Sequence, residues 1–299
     1  MSRMYHSVRY FAAGTLAAAL LAACNELQSP AGTLTQVEAN AVAEEITTDA
    51  ATLVQGATFG SSSGAPFAVG PILGAPVMAT ASTNCTPTQS PASPTNSDGD
   101  PVPDSVRVDF TGCTATDGSY AATLSGTIDF VDPTPSTTDW VLRTRYTDFG
   151  RSLTNTATGA TRTAVENGVR SVSGSADQLQ FTETNFRTDY TFALGITASH
   201  VRTWSSTFTA DQAGSIQAGS PLPNGDWNIT GTSVWTSGPL SYSLAVTTNP
   251  QLHYNASCTV EPRFDSGTLA AVVTKNTTST NVTIQFTACG QYTVTRTTA

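Results

Sequence analysis

Beyond Asp104, the apolar residues of this 299-residue chain recur at every second position. Leu240, Tyr242, Leu244 and Val246, for example, alternate with serine, alanine and threonine. Because successive side chains of a strand point to opposite faces, each such segment predicts a strand with one buried and one hydrated face. The pattern predicts an all-β fold of about ten to thirteen antiparallel strands, arranged as a meander that forms a sandwich or an open or closed barrel.

Turn signals separate these segments. Asn167-Gly168 and Asn224-Gly225 are dipeptides typical of tight turns between antiparallel strands, and we expect strands to end there. The alternation also extends one predicted strand through the following residues: Phe186, Tyr190, Phe192, Leu194 and Ile196.

One helix is predicted before the β-domain, over residues 33–56. Thr35 and Glu38 have the spacing of a capping box, in which each side chain bonds the other residue's backbone N–H. The predicted apolar face contains Leu34, Val37, Ala41, Ile46, Ala50 and Leu53. We expect this face to pack on the β-domain. Four acidic residues disfavour a helix lying on an anionic membrane surface: Glu38, Glu44, Glu45 and Asp49.

Two segments of the chain are alike. Residues 106–113 read Val-Arg-Val-Asp-Phe-Thr-Gly-Cys, residues 282–289 read Val-Thr-Ile-Gln-Phe-Thr-Ala-Cys, and each follows an upstream Cys-Thr pair. Two copies of one unit predict the same internal bridge in each, Cys85 to Cys113 and Cys258 to Cys289. The alternative is that two strands of similar composition converged.

The start of the chain has the parts of an export signal. Arg3 and Arg9 precede the apolar stretch 11–23, which is too short to span a bilayer. This stretch ends in Leu21-Ala22-Ala23-Cys24, which resembles the lipobox of bacterial lipoproteins. The resemblance implies that residues 1–23 are removed and that Cys24 carries acyl chains such as palmitate, which hold the protein on a membrane. An ordinary secretory signal with an incidental cysteine is the alternative.

The predicted organisation follows from these segments: a lipoprotein signal peptide at 1–23, a tether at 24–32, the helix at 33–56, a Gly/Ser/Pro-rich connection at 57–104 and the β-domain at 105–299. Asn25 follows the cysteine. In enteric-type lipoproteins an aspartate there retains the protein in the inner membrane, so the resemblance implies an outer-membrane, cell-envelope location.

The chain is acidic, with a formal net charge of −9. Residues 1–23 contain two arginines and no acid, so their removal makes it more acidic still. Such a charge argues against a nucleic-acid partner and against membrane binding through a basic patch, which leaves the lipid as the expected membrane contact.

Few residues suggest catalysis. His200 and His253 are the candidate general bases, and both fall in strand patterns where a surface position is expected. Glu166, Glu183 and Asp189 are the acids that could form a glycosidase pair. The segment 60–64 fits Gly-x-Ser-x-Gly, but it lies in a linker rather than between a strand and a helix. No enzymatic activity is predicted.

An acidic loop precedes the first long strand. Residues 96–104 read Asn-Ser-Asp-Gly-Asp-Pro-Val-Pro-Asp, and oxygen side chains at alternate positions suit Ca²⁺. The loop resembles the calcium loops of thrombospondin type 3-like repeats, which implies Asn96, Asp98, Asp100 and Asp104 as ligands. Asn96 replaces an acid and Pro101 replaces a glycine of that pattern. The alternative is an acidic turn without a metal.

The function predicted from these features is that of a lipid-anchored envelope lipoprotein with a non-enzymatic binding or structural role. Its partner is an envelope protein, a glycan or a lipid. Five aromatic residues are plausible contacts, although their positions favour core packing: Trp140, Trp204, Trp227, Trp235 and Tyr254. Two alternatives are a periplasmic carrier that holds a hydrophobic ligand in a half-barrel under the helix, and an envelope hydrolase.

Overall fold

The structure is a computed structural model that describes residues 33–55, 82–84 and 87–298, the last range with gaps at 101, 117–119, 139, 193–194, 218–219, 239 and 261. The predicted signal peptide, the tether and most of the predicted connection lie outside the described residues. Among the described residues, no helix is both long and apolar enough to cross a membrane.

Helix α1 spans Gln36–Gln55 and begins at the predicted cap. The Thr35 N–H donates to Glu38 Oε2 at 2.7 Å, and the Glu38 N–H donates to Thr35 Oγ1 at 3.2 Å. Both bonds satisfy backbone donors that the first helical turn leaves without a partner. The capping box predicted from the sequence is confirmed.

Side chains on several sides of the helix are buried, and not only those of one apolar face. Val37, predicted on the apolar face, is 60% exposed, whereas Ala39 and Ala43 are fully buried. From Ala41 to Leu53, each described side chain is buried or half-buried, including acidic ones. The single apolar face predicted from the sequence is therefore only part of the buried surface.

Fifteen strands lie in the described part of the chain, more than the sequence predicts. They are β1 Ser82–Asn84, β2 Thr88–Ser90, β3 Ser105–Asp109, β4 Cys113–Thr116, β5 Tyr120–Val131, β6 Trp140–Asn155, β7 Thr161–Gly174, β8 Gln178–Thr191, β9 Thr197–Ala210, β10 Gly225–Ser237, β11 Leu240–Thr248, β12 Leu252–Tyr254, β13 Phe264–Lys275, β14 Thr278–Ala288 and β15 Gln291–Thr298. The short strands β1 and β2 belong to the segment predicted as a connection.

The strands form one sheet, in which neighbouring strands are antiparallel. Its order is β1, β4 to β11 in sequence, β13, β14 and β15. Strands β3 and β4 both pair with β5, β2 pairs with β3, and β12 pairs with β10 and β13. This order is mainly an antiparallel meander, so the predicted all-β class with one helix near the N-terminus is confirmed.

A row of β-bulges crosses strands β5 to β8. The pairing register shifts at Ser125/Thr127 in β5, Tyr146/Phe149 in β6, Asn167/Val169 in β7 and Glu183/Phe186 in β8. A bulge bends its strand and increases the local twist, so a row of bulges creates a line of bending across the sheet. The predicted turn at Asn167-Gly168 is wrong, because this dipeptide supplies one of these bulges inside β7.

Glycine is required at one of these bulges. Gly126 has φ +80°, and a Cβ there would lie 2.1 Å from the backbone oxygen of Asp148. Any side chain would therefore collide with the neighbouring strand.

The strand predicted to continue to Ile196 ends at Thr191. A turn follows, in which the Gly195 N–H donates to the Phe192 carbonyl oxygen at 3.1 Å and the Phe192 N–H donates to that of Ile196 at 2.8 Å. Ile196 is 43% exposed, so its apparent continuation of the alternation does not reflect burial.

The main core lies between α1 and the sheet. Near one end of the helix, the Leu34 N–H donates to Thr280 of β14, and at the other end Leu53 shares a small cavity with Thr144 of β6. Seven strand spacings separate β6 from β14, about 34 Å on a flat sheet, and residues 34–53 of a helix extend about 29 Å. The helix therefore runs across the strands, from β14 to β6. A smaller core joins β3 to β6 around Phe110 and Phe149.

Candidate functional site

Asp98, Asp100 and Asp132 form a cluster of carboxylates. One carboxylate oxygen from each lies within 4.8 Å of one oxygen from each of the others. Asp98 and Asp100 belong to the acidic loop, whereas Asp132 directly follows β5. Backbone bonding brings the two segments together, because the Asp132 N–H donates to the Asp104 carbonyl oxygen at 3.2 Å.

Each of these carboxylates uses one oxygen in a local hydrogen bond. Oδ1 of Asp98 accepts from the Asp100 N–H at 3.1 Å, and Oδ1 of Asp100 accepts from the Val102 N–H at 2.7 Å. Oδ1 of Asp132 accepts from the Thr134 N–H at 2.7 Å. These bonds fix the direction of the three carboxylates.

The second oxygen, Oδ2, of each carboxylate is buried and has no hydrogen-bond partner among the described residues. Asp100 is 7% exposed and Asp132 is 2% exposed. An unpaired buried carboxylate oxygen is costly, because it has lost water and gained no donor. Burial raises the pKa of Asp100, and the neighbouring carboxylates of Asp98 and Asp132 raise it further, although the Val102 bond opposes them.

The other two predicted ligands point elsewhere. Oδ1 of Asn96 accepts from the Gly99 N–H at 2.7 Å, and its amide donates to the Asp100 carbonyl oxygen. Asp104 accepts from the Ser97 N–H at 2.8 Å and from the hydroxyls of Thr95 and Ser97 at 2.8 and 2.6 Å. Of the four predicted ligands, the structure brings together Asp98 and Asp100, and it adds Asp132.

A second cluster of charged groups lies between α1 and the sheet. Arg202 of β9 pairs with Asp49 of the helix, and its Nε lies 3.2 Å from Glu183 Oε2. The other oxygen of Glu183 lies 2.5 Å from Arg170 Nε. All four side chains are at least four-fifths buried, so the helix is held to the sheet by ion pairs as well as by apolar contact.

His200 belongs to the same cluster. Its Nδ1 lies 3.3 Å from Glu45 Oε1, its Nε2 lies 3.5 Å from Asp49 Oδ2, and its ring stacks on Trp235 at 4.3 Å between centroids. Burial lowers the pKa of His200 well below its ordinary value, and the charge of Arg202 lowers it further. His200 is fully buried, so the surface position predicted for it is wrong.

The cluster also shifts the pKa values of the two helix acids. Burial raises the pKa of Asp49 to about 6, against the opposing effect of Arg202. Burial, with the neighbouring Asp49, raises the pKa of Glu45 well above its ordinary value. Glu45, Asp49 and His200 offer three metal-ligating atoms within 4.8 Å of one another. The guanidinium that already binds Asp49 opposes a cation there.

A buried ion pair also holds the first turn of the helix. Lys275, the chain's single lysine, donates to Glu38 Oε1 at 2.7 Å, and both side chains are less than one-tenth exposed. Glu38 thereby serves both the cap and this ion pair.

The three acids considered for a glycosidase pair are bound by arginines. Glu166 pairs with Arg151, and Asp189 lies 2.8 Å from Arg187. Glu183 pairs with Arg170 and Arg202, and although burial acts to raise its pKa, the two guanidinium groups lower it overall. A general acid needs a raised pKa near neutrality, so the lowered pKa of Glu183 does not suit that role.

His253 is held on both sides by carboxylates. Its Nδ1 lies 2.8 Å from Asp265 Oδ1, and its Nε2 lies 3.3 Å from Asp211 Oδ2. Burial acts to lower the pKa of His253, but the hydrogen bonds to Asp265 and Asp211 raise it overall. Both ring nitrogens therefore face carboxylates, which favour the protonated imidazolium.

The predicted bridge between Cys258 and Cys289 is confirmed, with 5.5 Å between the two Cα atoms. It joins the segment between β12 and β13 to the turn between β14 and β15. Cys113 is disulfide-bonded, but Cys85 lies outside the described residues, so the Cys85–Cys113 pairing stays a prediction. The lipidation residue Cys24 and the segment 60–64 also lie outside them.

The candidate contact aromatics belong to the core. Trp204, Trp227, Trp235 and Tyr254 are at most 9% exposed, and Trp140 is partly buried against the same cluster. The core packing favoured by their positions in the sequence is confirmed.

The small cavity at the bend of the sheet has a volume of about 30 Å³. Leu53, Tyr146, Arg170 and Glu183 are among the residues that line it. This volume has room for about two water molecules, whereas a ligand pocket requires about 300 Å³ or more.

Sequence reasoning missed Asp132 and the pairing of Asp49 with Arg202. Asp132 stands in Asp-Pro-Thr-Pro, which is an ordinary turn signal, and nothing local connects it to residues 98–100. The one available signal was the scarcity of basic residues, because few cations are present to neutralise acids on a buried helix.

Comparison with known proteins finds no match: no family model, no curated protein and no solved structure is similar to this chain.

Proposed function

We propose that this chain is a lipid-anchored protein of the bacterial cell envelope with a non-enzymatic structural or binding role. The anchor is Cys24, which becomes the first residue after the signal 1–23 is removed. Arg3, Arg9 and the Leu21-Ala22-Ala23-Cys24 string support this part of the proposal.

The observation that carries the role is the filling of the sheet's inner face by the chain's own helix. Ile46, Ala50 and Leu53 pack there with Phe181, Trp204 and other core residues. A carrier of hydrophobic ligands needs an apolar cavity of several hundred Å³ at this place, whereas in the described part of the chain the helix packs there. The domain is therefore suited to present a rigid outer surface to a partner.

The electrostatics of the candidate catalytic residues favour the same role. Glu166, Glu183 and Asp189 are neutralised by arginines, His253 is held by two carboxylates, and His200 is fully buried. These pairings contribute to the fold and leave the groups poorly suited to proton transfer.

The anchor is tested by labelling with palmitate in a bacterial host. The wild-type chain should incorporate the label and sediment with membranes, and Cys24→Ser should do neither, because the thioether to the lipid cannot form. Cys289→Ser is the matched control. It removes a cysteine of the β-domain but leaves Cys24 in place, so this variant should keep the label. A labelled Cys24→Ser variant would contradict the anchor.

The role is tested by native mass spectrometry of the chain purified without detergent. A structural or protein-binding role predicts the mass of the chain with its own acyl groups alone. A stoichiometric, non-covalent lipid that dissociates on activation would contradict that role and establish a carrier.

A further inference from the structure

We propose that Asp98, Asp100 and Asp132 bind one Ca²⁺ ion that ties the acidic loop 96–104 to the end of β5. The proposal does not depend on the lipid anchor or on the role given above. It rests on the placement and burial of the three carboxylates.

The distances fit a single ion. Calcium ligands lie 2.3–2.6 Å from the ion, so two oxygens about 2.4 Å from it are at most about 4.8 Å apart. One oxygen from each of the three carboxylates meets that limit with respect to the other two. Ca²⁺ takes six to eight oxygens, and water completes the set on the side of Asp98, which is partly exposed.

Each of the three carboxylates also has one oxygen without a partner among the described residues. Asp100 and Asp132 are more than nine-tenths buried, and their Oδ2 atoms have no donor in the described part of the chain. No salt bridge among the described residues reaches any of the three. A divalent cation supplies the positive charge that such a cluster lacks.

The ligand chemistry selects the ion. The three side-chain ligands are carboxylates, and hard oxygen ligands favour Ca²⁺ or Mg²⁺ over metals that take nitrogen or sulfur. Mg²⁺ needs oxygens at about 2.1 Å in near-ideal octahedral geometry. Ca²⁺ accepts a less regular arrangement, which suits three carboxylates that are each fixed by a separate backbone N–H group.

The ion connects parts of the chain that are distant in sequence. Asp98 and Asp100 precede β3, and Asp132 directly follows β5, the strand that pairs with β3 and β4. Calcium binding thus stabilises the junction between the N-terminal connection and the sheet, because it stabilises only the state in which the two segments meet.

The test uses the full chain treated with chelator and then titrated with CaCl₂ by calorimetry. We expect one Ca²⁺ per chain, and a rise of about 5 to 10 °C in the unfolding midpoint at about 100 times the dissociation constant. MgCl₂ should give a much smaller rise. No binding heat, or an equal response to both ions, would overturn the proposal.

Two variants distinguish this ligand set from the one read from the sequence. Asp132→Asn should abolish the calcium response and should be no less stable than wild type in chelator, because it removes one of three repelling carboxylates. Asp104→Asn, the matched control, should lower the midpoint equally with and without calcium, because it weakens bonds to Thr95 and Ser97. If Asp132→Asn does not fold, Asp98→Asn, at a less buried position, replaces it. Loss of the response in Asp104→Asn with its retention in Asp132→Asn would also overturn the proposal.

Discussion

Among the single residues, Arg202 makes the contact between the helix and the sheet specific. It binds Asp49 of the helix and Glu183 of the sheet, and its guanidinium lies 5.1 Å from the ring centre of Phe186. Burial of these charges is costly, and only their mutual pairing offsets the cost. The pairing therefore fixes which helix residues face which strand, a task that interchangeable apolar contacts perform poorly.

Arg202→Met tests this arrangement. It leaves the Asp49 and Glu183 carboxylates buried without Arg202, so the free energy of unfolding should fall by about 3 to 5 kcal/mol. Arg187→Met is the control, because the side chains of Arg187 and Asp189 are 53% and 43% exposed and such a pair contributes less than about 1 kcal/mol. Urea unfolding measures both. Equal losses in the two variants would show that burial of the Arg202 pair is immaterial.

The charged residues of both clusters could not be paired from sequence. Asp49 and Arg202 are 153 residues apart, and an isolated aspartate on a helix normally indicates a solvated face. Asp98 and Asp100 were recognisable because they stand close together, but Asp132 joins them only through the fold. Charged groups could be grouped from the sequence only where they lie close together along the chain.

At the scale of elements, the helix cap and most strands were predictable because their signals are local. Thr35 and Glu38 form the predicted box, and β11 follows the period-two alternation of its apolar residues. The bulges were not predictable. Asn-Gly adopts positive φ equally well in a turn and in a bulge, and only strand pairing distinguishes the two at Gly168.

Gly126→Ala tests the bend of the sheet. Its Cβ would meet the Asp148 backbone oxygen at 2.1 Å, so the β5–β6 pairing must shift. Gly159→Ala is the control, because Gly159 also has positive φ, at +70°, but nothing lies within 4 Å of its Cβ. Gly126→Ala should lower the free energy of unfolding by at least about 2 kcal/mol more than Gly159→Ala. If Gly126→Ala and Gly159→Ala lowered the denaturant midpoint equally, the bulge would have accommodated the added Cβ without cost.

At the scale of the whole molecule, the sheet and the helix form one core. The helix contributes Val42, Ile46 and Leu53 to the same cluster as Phe208 and Trp227, and ion pairs at Glu38 and Asp49 bind it to the sheet. An element with this much buried surface should open only when the sheet itself unfolds.

Native-state hydrogen exchange followed by mass spectrometry tests this claim most directly. Amides in residues 42–53 should exchange as slowly as those of β9 and β10, and both should gain exchange together in mild denaturant. Rapid exchange of the helix while β9 and β10 stay protected would contradict a single core, because the helix would then be a lid that opens over the sheet.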